Sequence, residues 1–158
     1  MSNKIIYPGT FDPITNGHID LVERASRLFG QVIVAVAANN KKDSLFTLEE
    51  REQLARETLA KYPNVEVCTY SGLLIELART KNCMVILRGL RAISDYEYEL
   101  QMANINRTIE PKIDAVFLTP AEKYAYISAS VVREIASFGG DVSAFAPIEV
   151  QEALKNKF

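Results

Sequence analysis

The chain has 158 residues, 48% of them hydrophobic and 24% charged, and 18 Lys+Arg against 20 Asp+Glu leave a formal charge of -2. That length suits one well-buried domain of roughly 100 to 200 residues, and the near-neutral balance argues against a mainly electrostatic nucleic-acid binder. A single histidine, His18, and two cysteines, Cys68 and Cys83, exclude a multi-histidine metal site and a Cys/His zinc cage, so no protein-held metal is expected.

A first strand is predicted over 4–7, directly after the N-terminus, so no secretory leader is expected. Leu21, Val22, Ala25, Leu28 and Phe29 then recur at helical spacing, and Gly30 stands where a helix C-terminus calls for positive φ. A second strand, rich in Val and Ile, covers 31–37. Thr47 and Glu50, at capping-box spacing, open a helix that runs to about residue 61, ahead of Pro63. A strand over 65–70, a helix over 73–80 and a strand over 84–87 follow. Ser94 and Glu97 repeat the capping-box spacing before a long helix through Arg107, and a fifth strand covers 115–118. Ser128 or Ser130 caps a helix ending at Gly139 and Gly140, and a short helix spans 148–155.

Short apolar strands alternating with helices predict an α/β fold, a doubly wound five-stranded parallel sheet of Rossmann-like type, with residues 1–158 forming a single domain. Both cysteines lie in or beside apolar runs and read as buried free thiols in a reducing cytoplasm. No apolar stretch approaches the ~18 residues of a membrane span, so no membrane partner is expected.

In such a sheet the ligand site lies at the carboxyl ends of the strands. That rule selects residues 8–18, 39–46, 71–74, 88–95 and 119–130. In the first segment Gly9 allows a close backbone approach to a ligand, and Thr10 supplies a hydroxyl and an amide. His18 projects from a helix N-terminus, where free N–H groups and the dipole favour phosphate and oppose a second positive charge. A neutral, hydrogen-bond-donating imidazole fits that place; the alternative is a solvated first-turn histidine. Gly9 and Gly17 lack P-loop spacing and no G-x-G-x-x-G follows the first strand, which disfavours P-loop kinases and nicotinamide dehydrogenases.

Arg88-Gly89-Leu90-Arg91 follows the fourth strand, two guanidinium forks separated by a glycine that permits a tight turn, suited to phosphate oxygens or to ion pairs with Asp95, Glu97 or Glu99. Glu99 can bond a ribose hydroxyl or an arginine. Lys41 and Lys42 bring further cations or are simply solvated; Leu73 and Leu74 line an apolar slot or the core. Tyr124 to Ser130 combines aromatic surfaces with hydroxyls at a helix start, suited to a nucleotide or to plain N-capping. No covalent nucleophile is set up, and the ensemble suits catalysis by positioning and charge stabilisation.

The run from Tyr7 through Pro-Gly-Thr-Phe-Asp-Pro-Ile-Thr-Asn-Gly to His18 resembles the T/HxGH signature of the nucleotidyltransferase superfamily, and Ile127-Ser-Ala-Ser130 resembles its second, ISSxxxR/K-like signature. With the stretch from Arg88 to Glu99, the chain is similar over its whole length to the bacterial phosphopantetheine adenylyltransferases. The resemblance implies AMP transfer from ATP, accompanied by Mg²⁺, to 4′-phosphopantetheine, giving dephospho-CoA and pyrophosphate. It implies that Thr10 and His18 contact the reacting phosphates, that His18 stabilises the pentacovalent transition state, and that Lys42 and Arg91 join them in catalysis. Lys42, Leu74, Arg88 and Thr10 would hold phosphopantetheine, with Met102 and Asn106 along its arm. ATP would meet Thr10, Phe11, His18, Gly89, Leu90, Arg91 and Glu99, together with Tyr124, Ala125, Tyr126, Ile127, Ser128, Ala129 and Ser130. A homohexamer with feedback by CoA is also implied.

Two positions depart from that pattern. Ala129 stands where serine is common, which leaves only a backbone contact, and Tyr124 stands where tryptophan is common. Two competing readings are another acceptor, such as nicotinate mononucleotide or glycerol phosphate, and a non-catalytic nucleotide sensor. Class I aminoacyl-tRNA synthetases share a related histidine signature, but the chain has no room for an anticodon-binding domain and no basic surplus.

Overall fold

Among the described residues five apolar segments form strands: β1 (Lys4–Gly9), β2 (Gln31–Ala37), β3 (Val65–Tyr70), β4 (Val85–Gly89) and β5 (Asp114–Leu118). All pairings are parallel and the spatial order is β3-β2-β1-β4-β5. Near-continuous burial along β1 and β2 is what a strand covered on both faces requires. The helices α1 (Asn16–Leu28), α2 (Leu48–Leu59), α3 (Leu74–Thr80), α4 (Ile93–Ile109), α5 (Ala129–Ser137) and α6 (Ile148–Lys157) supply those covers. The computed structural model describes residues 3–38 and 43–158.

Alternation along the strands divides the core in two. Ile5, Val32, Val34, Val36 and Leu87 pack with Leu21, Val22, Leu54, Leu59, Val132, Val150 and Leu154 from α1, α2, α5 and α6. Ile6, Ile33, Ala35 and Ile86 face the other way, onto Ile75, Ala78 and Ile113. Cys83 is buried in this second layer and Cys68 half-buried beside it, both as free thiols. Among the described residues no helix is long and apolar enough to cross a membrane.

Helix ends carry most of the differences from the sequence reading. The Thr47–Glu50 capping box forms, and Ser128 caps α5 by accepting the Val131 N–H at 3.2 Å. The Ser94–Glu97 box does not form: α4 starts at Ile93 with Ala92 at the N-cap and no side-chain cap. Asp95 binds Arg91 there instead, taking its N–H at 3.1 Å and its guanidinium at 3.2 Å. Gly30 has no positive φ; among the described glycines only Gly72 and Gly139 do, and α1 ends on the extended Phe29. A Cβ on Gly30 would instead lie 3.4 Å from the Asn3 carbonyl oxygen.

β1 and β4 each extend two residues beyond the sequence reading, so Arg88 and Gly89 are ladder residues opposite Phe117 and Leu118. Gly89 makes no tight turn. A Cβ there would sit 2.5 Å from Leu21 Cδ1, so the glycine lets α1 lie close on the sheet. The strand order reverses between β1 and β4, the place where an open parallel sheet forms a crevice.

Candidate active site at the β1/β4 crevice

At that crevice lies a cavity of about 570 Å³, walled by the ends of β1 and β4, the N-terminus of α1, α4 and the Tyr124–Ala129 segment. Of the residues selected from sequence, it gathers Thr10, Phe11, His18, Leu74, Arg88, Gly89, Arg91, Glu99, Met102, Asn106, Tyr124, Ile127, Ser128 and Ala129. Leu90, Ala125, Tyr126 and Ser130 are outside its lining. Leu90 N–H is bound to the Leu118 carbonyl at 2.9 Å, Ala125 N–H to Glu122, Ser130 Oγ accepts from Arg133 at 3.3 Å, and Tyr126 is 90% exposed. Lys42 lies outside the described residues.

His18 is held by a device the sequence reading did not find. Thr15 is the N-cap of α1 and His18 its N3 residue, and the two form a capping box in which the imidazole takes the place of the usual Glu or Gln. Thr15 N–H donates to His18 Nδ1 at 3.0 Å, with Thr15 Oγ1 3.1 Å from the same nitrogen. A backbone N–H requires an acceptor, so Nδ1 carries no proton and the neutral ring bears its hydrogen on Nε2. Burial, and secondarily the charge of Arg91, push the His18 pKa down to about 4. Geometry and electrostatics both favour the neutral ring, with desolvation leading where the sequence pointed to the helix dipole.

Phe11 adopts φ 49° and is 2% exposed, its ring edge-on to His18 at 5.0 Å and to Tyr7 at 5.3 Å. The ring also lies over Gly9, where a Cβ would come within 2.9 Å of it. Gly9 thus admits a protein side chain, and Phe11 supports the imidazole from behind. Burial raises the Tyr7 phenol beyond its ordinary range against the pull of Arg88 and Arg91, so it too remains protonated.

The opposite wall is cationic. Arg88 reaches from β4 to α4, where Nε and Nη2 bind the two carboxylate oxygens of Glu99 at 2.6 and 2.7 Å, while Nη1 approaches the Pro8 carbonyl at 3.4 Å. Desolvation disfavours the Arg88 charge, but the Glu99 bonds outweigh it and raise the pKa. Of the two partners open to Glu99, a ribose or an arginine, the structure supplies the arginine. Arg91 is exposed, paired with Asp95, and donates through Nη1 to the Ile127 carbonyl at 3.2 Å. A neutral N–H donor facing two guanidinium groups across one cavity can bind and stabilise phosphate oxygens.

Residues 6–135 match the cytidylyltransferase-like family. A phosphopantetheine adenylyltransferase of Methylococcus capsulatus (strain Bath) is 59% identical over 158 residues, which is all of this chain and 98% of that protein. The chain belongs to the phosphopantetheine adenylyltransferase family. It is a nucleotidyltransferase, as the two signatures implied.

Solved structures of low identity share the fold. A candidate nicotinate-nucleotide adenylyltransferase of Vibrio parahaemolyticus superposes with TM-score 0.74 at 18% identity, covering 99% of this chain and 93% of that one. The nicotinic acid mononucleotide adenylyltransferase of Plasmodium falciparum, complexed with NaAD, gives 0.73 at 16%, covering 99% and 96%.

Three residues that sequence reading passed over tie the family's signature segments together. Arg133, the basic residue that closes the second signature, donates through Nη1 to the Asp12 carbonyl at 2.5 Å. Asp12, in the first signature and 5% exposed, accepts the N–H groups of Leu45 and Phe46 at 2.9 and 3.0 Å. Asp20, on α1 two residues beyond His18, accepts the Ala121 N–H at 2.9 Å and so holds the turn that leads to Tyr124. The two signatures, in which Asp12 and Arg133 stand, were the sequence signal for those two residues; Asp20 lies beyond both.

Proposed function

We propose that this chain transfers AMP from ATP to 4′-phosphopantetheine, giving dephospho-CoA and pyrophosphate within coenzyme A biosynthesis. The observation that carries the reading is the pairing of a fixed, neutral His18 Nε2–H donor with the Arg88 and Arg91 guanidinium groups around one cavity. A phosphate oxygen of phosphopantetheine attacks the α-phosphorus of ATP in line, a new P–O bond forms, and the bond to the β-phosphate oxygen breaks with its electrons leaving on pyrophosphate. The attacking phosphate is already ionised at neutral pH, so no general base is required. His18, Thr10, Arg91 and the undescribed Lys42 stabilise the charge that develops on the α-phosphoryl oxygens.

The remaining cavity residues divide between the substrates. Arg88, braced by Glu99, meets the phosphopantetheine phosphate, while Leu74, Met102 and Asn106 border its arm. Gly89, Arg91, Tyr124, Ile127, Ser128 and Ala129 face the nucleotide, whereas Glu99 acts through Arg88 on the phosphopantetheine phosphate. Ala129, at the start of α5, offers its backbone N–H. Mg²⁺ would enter with ATP on the substrate's own phosphates and would supply charge neutralisation there.

CoA carries the same pantetheine arm and adenylate as the product and competes for the same cavity, which supports feedback inhibition. The exposed apolar side chains of α4, including Tyr96, Leu100, Ile105 and Ile109, support assembly of copies into a homohexamer. The free thiols fit a cytoplasmic setting.

The deciding experiment is pyrophosphate release from MgATP with phosphopantetheine, pantetheine and nicotinate mononucleotide in parallel. Turnover with phosphopantetheine alone is expected. Turnover confined to nicotinate mononucleotide would overturn the acceptor, and ATP binding without turnover on any acceptor would favour a sensor.

A further inference from the structure

Arg51, in the first turn of α2, is 3% exposed. Its Nη1 donates to two backbone carbonyls, those of Thr10 and Ala37, at 2.8 Å each, and its Nε donates to the Phe46 carbonyl at 3.3 Å. Those oxygens belong to the loop after β1, the last residue of β2 and the loop entering α2. Among the described residues no carboxylate oxygen lies within 4.0 Å of the guanidinium, and the hydrogen bonds that its Nε and Nη1 make all go to backbone carbonyls. Asp12 reaches in the reverse direction, from the first loop to the N–H groups of Leu45 and Phe46.

A buried charge of this kind is a weak source of stability, since apolar side chains of the same volume often serve as well. What they cannot do is fix the spacing of two loops at carbonyl oxygens. The planar fork does, because one nitrogen spans the ends of β1 and β2 while a second holds the chain leading into α2. The Thr10 carbonyl is held while its side chain is exposed on the cavity wall.

We propose that Arg51 is a positioning residue for the transfer reaction, locking the loop after β1 to the end of β2 so that the Thr10 side chain meets the reacting phosphates. This rests on the transfer reading given above. The test uses whichever acceptor the wild type turns over, so a wrong acceptor strikes that reading and leaves this one standing.

Arg51→Lys keeps the charge and loses the fork. Its kcat is expected to fall about 10- to 100-fold, the usual cost of misplacing a group by about 1 Å, while calorimetric ATP affinity changes little. The readout that a merely structural role would not move is a double-mutant cycle with Thr10→Ala. On that background Arg51→Lys is expected to cost no more than about twofold in kcat, because the group it positions is already gone. Arg51→Gln, which retains an amide donor in similar space, is the second variant if the lysine protein does not fold, with the same coupling and a smaller loss. A folded variant with wild-type kcat, or losses that simply multiply with that of Thr10→Ala, would overturn the proposal.

Discussion

The two walls of the cavity are built differently. On the α1 side Phe11, Asp12, Ile14 and Thr15 are all at most 5% exposed, and the bracing bonds run through backbone groups: Thr15 N–H to His18, Arg51 to the Thr10 carbonyl, Arg133 to the Asp12 carbonyl. On the α4 side Arg91, Tyr96 and Tyr98 are exposed, and Glu99 is the one buried residue among the helix's described side chains. The first wall is preorganised before substrate arrives. The second depends on ion pairs, Arg88 with Glu99 and Arg91 with Asp95, the latter open to solvent and therefore weak. The difference matches the proposed division of labour, since charge stabilisation gains from fixed donors whereas a flexible pantetheine arm needs a wall that can adjust.

If the α1 wall is the chemical one, removing its donor should have the largest effect. His18→Ala is expected to lower kcat by about 10² to 10³, the usual cost of one preorganised donor, with substrate affinities largely kept. Steady-state kinetics with calorimetric binding checks this; near-normal turnover by a folded variant would move the chemistry to the arginine wall.

The α4 wall should fail in binding instead. Glu99→Gln leaves Arg88 with one weakened bond in place of two charged ones, and the KM for phosphopantetheine is expected to rise about tenfold, in line with a charge-assisted hydrogen bond worth roughly 1.5–3 kcal/mol. The KM for ATP should change far less. An equal rise in both would mean that Glu99 braces the whole cavity and that the two walls are not separable.

Between the walls, Asp20 links α1 to the turn before Tyr124. Asp20→Asn keeps an acceptor for the Ala121 N–H but loses the charge, so the KM for ATP is expected to rise only about two- to fivefold, the scale of a neutral hydrogen bond. No change would place the Tyr124 turn among the elements that need no brace.

The same contrast explains what the sequence made legible. Five apolar strands, their alternation with helices along the chain and the cavity-facing edge followed from apolar period and the rule for parallel sheets, because burial on both faces leaves a strong pattern; the spatial order of the strands did not. The braces left none. Arg51 stands in the stretch Glu49-Glu50-Arg51-Glu52, which reads as a solvated helix surface, and only the fold turns it inward. Thr15 and His18 have capping-box spacing, but histidine is not the residue expected at the third position. Ser94 and Glu97 had the expected residues and formed no capping box, because α4 starts at Ile93 and Ser94 falls inside it rather than at its N-cap. Local patterns identify groups that satisfy their own helix and miss those that reach across the molecule to another loop.

The smallest expected effect is on pH dependence, and it tests whether the α1 wall is preorganised in protonation as well as in position. With its pKa pushed down to about 4 in the folded protein from the ordinary imidazole value of 6.5, His18 is neutral throughout pH 5 to 8 and should contribute no inflection to kcat there. Nitrogen-15 spectra of the single imidazole should show the Nε2–H tautomer at pH 7. The sign for stability follows from proton uptake: between pH 6.5 and 4 the unfolded chain binds a proton at His18 that the folded chain does not. The His18 contribution is therefore complete above pH 6.5 and is lost as pH falls toward 4, so the wild type should lose more thermal stability over that interval than His18→Gln. An imidazole that titrates near 6.5 in the folded protein, with kcat following its protonated form, would mean that the histidine acts as a cation and that burial does not hold it neutral.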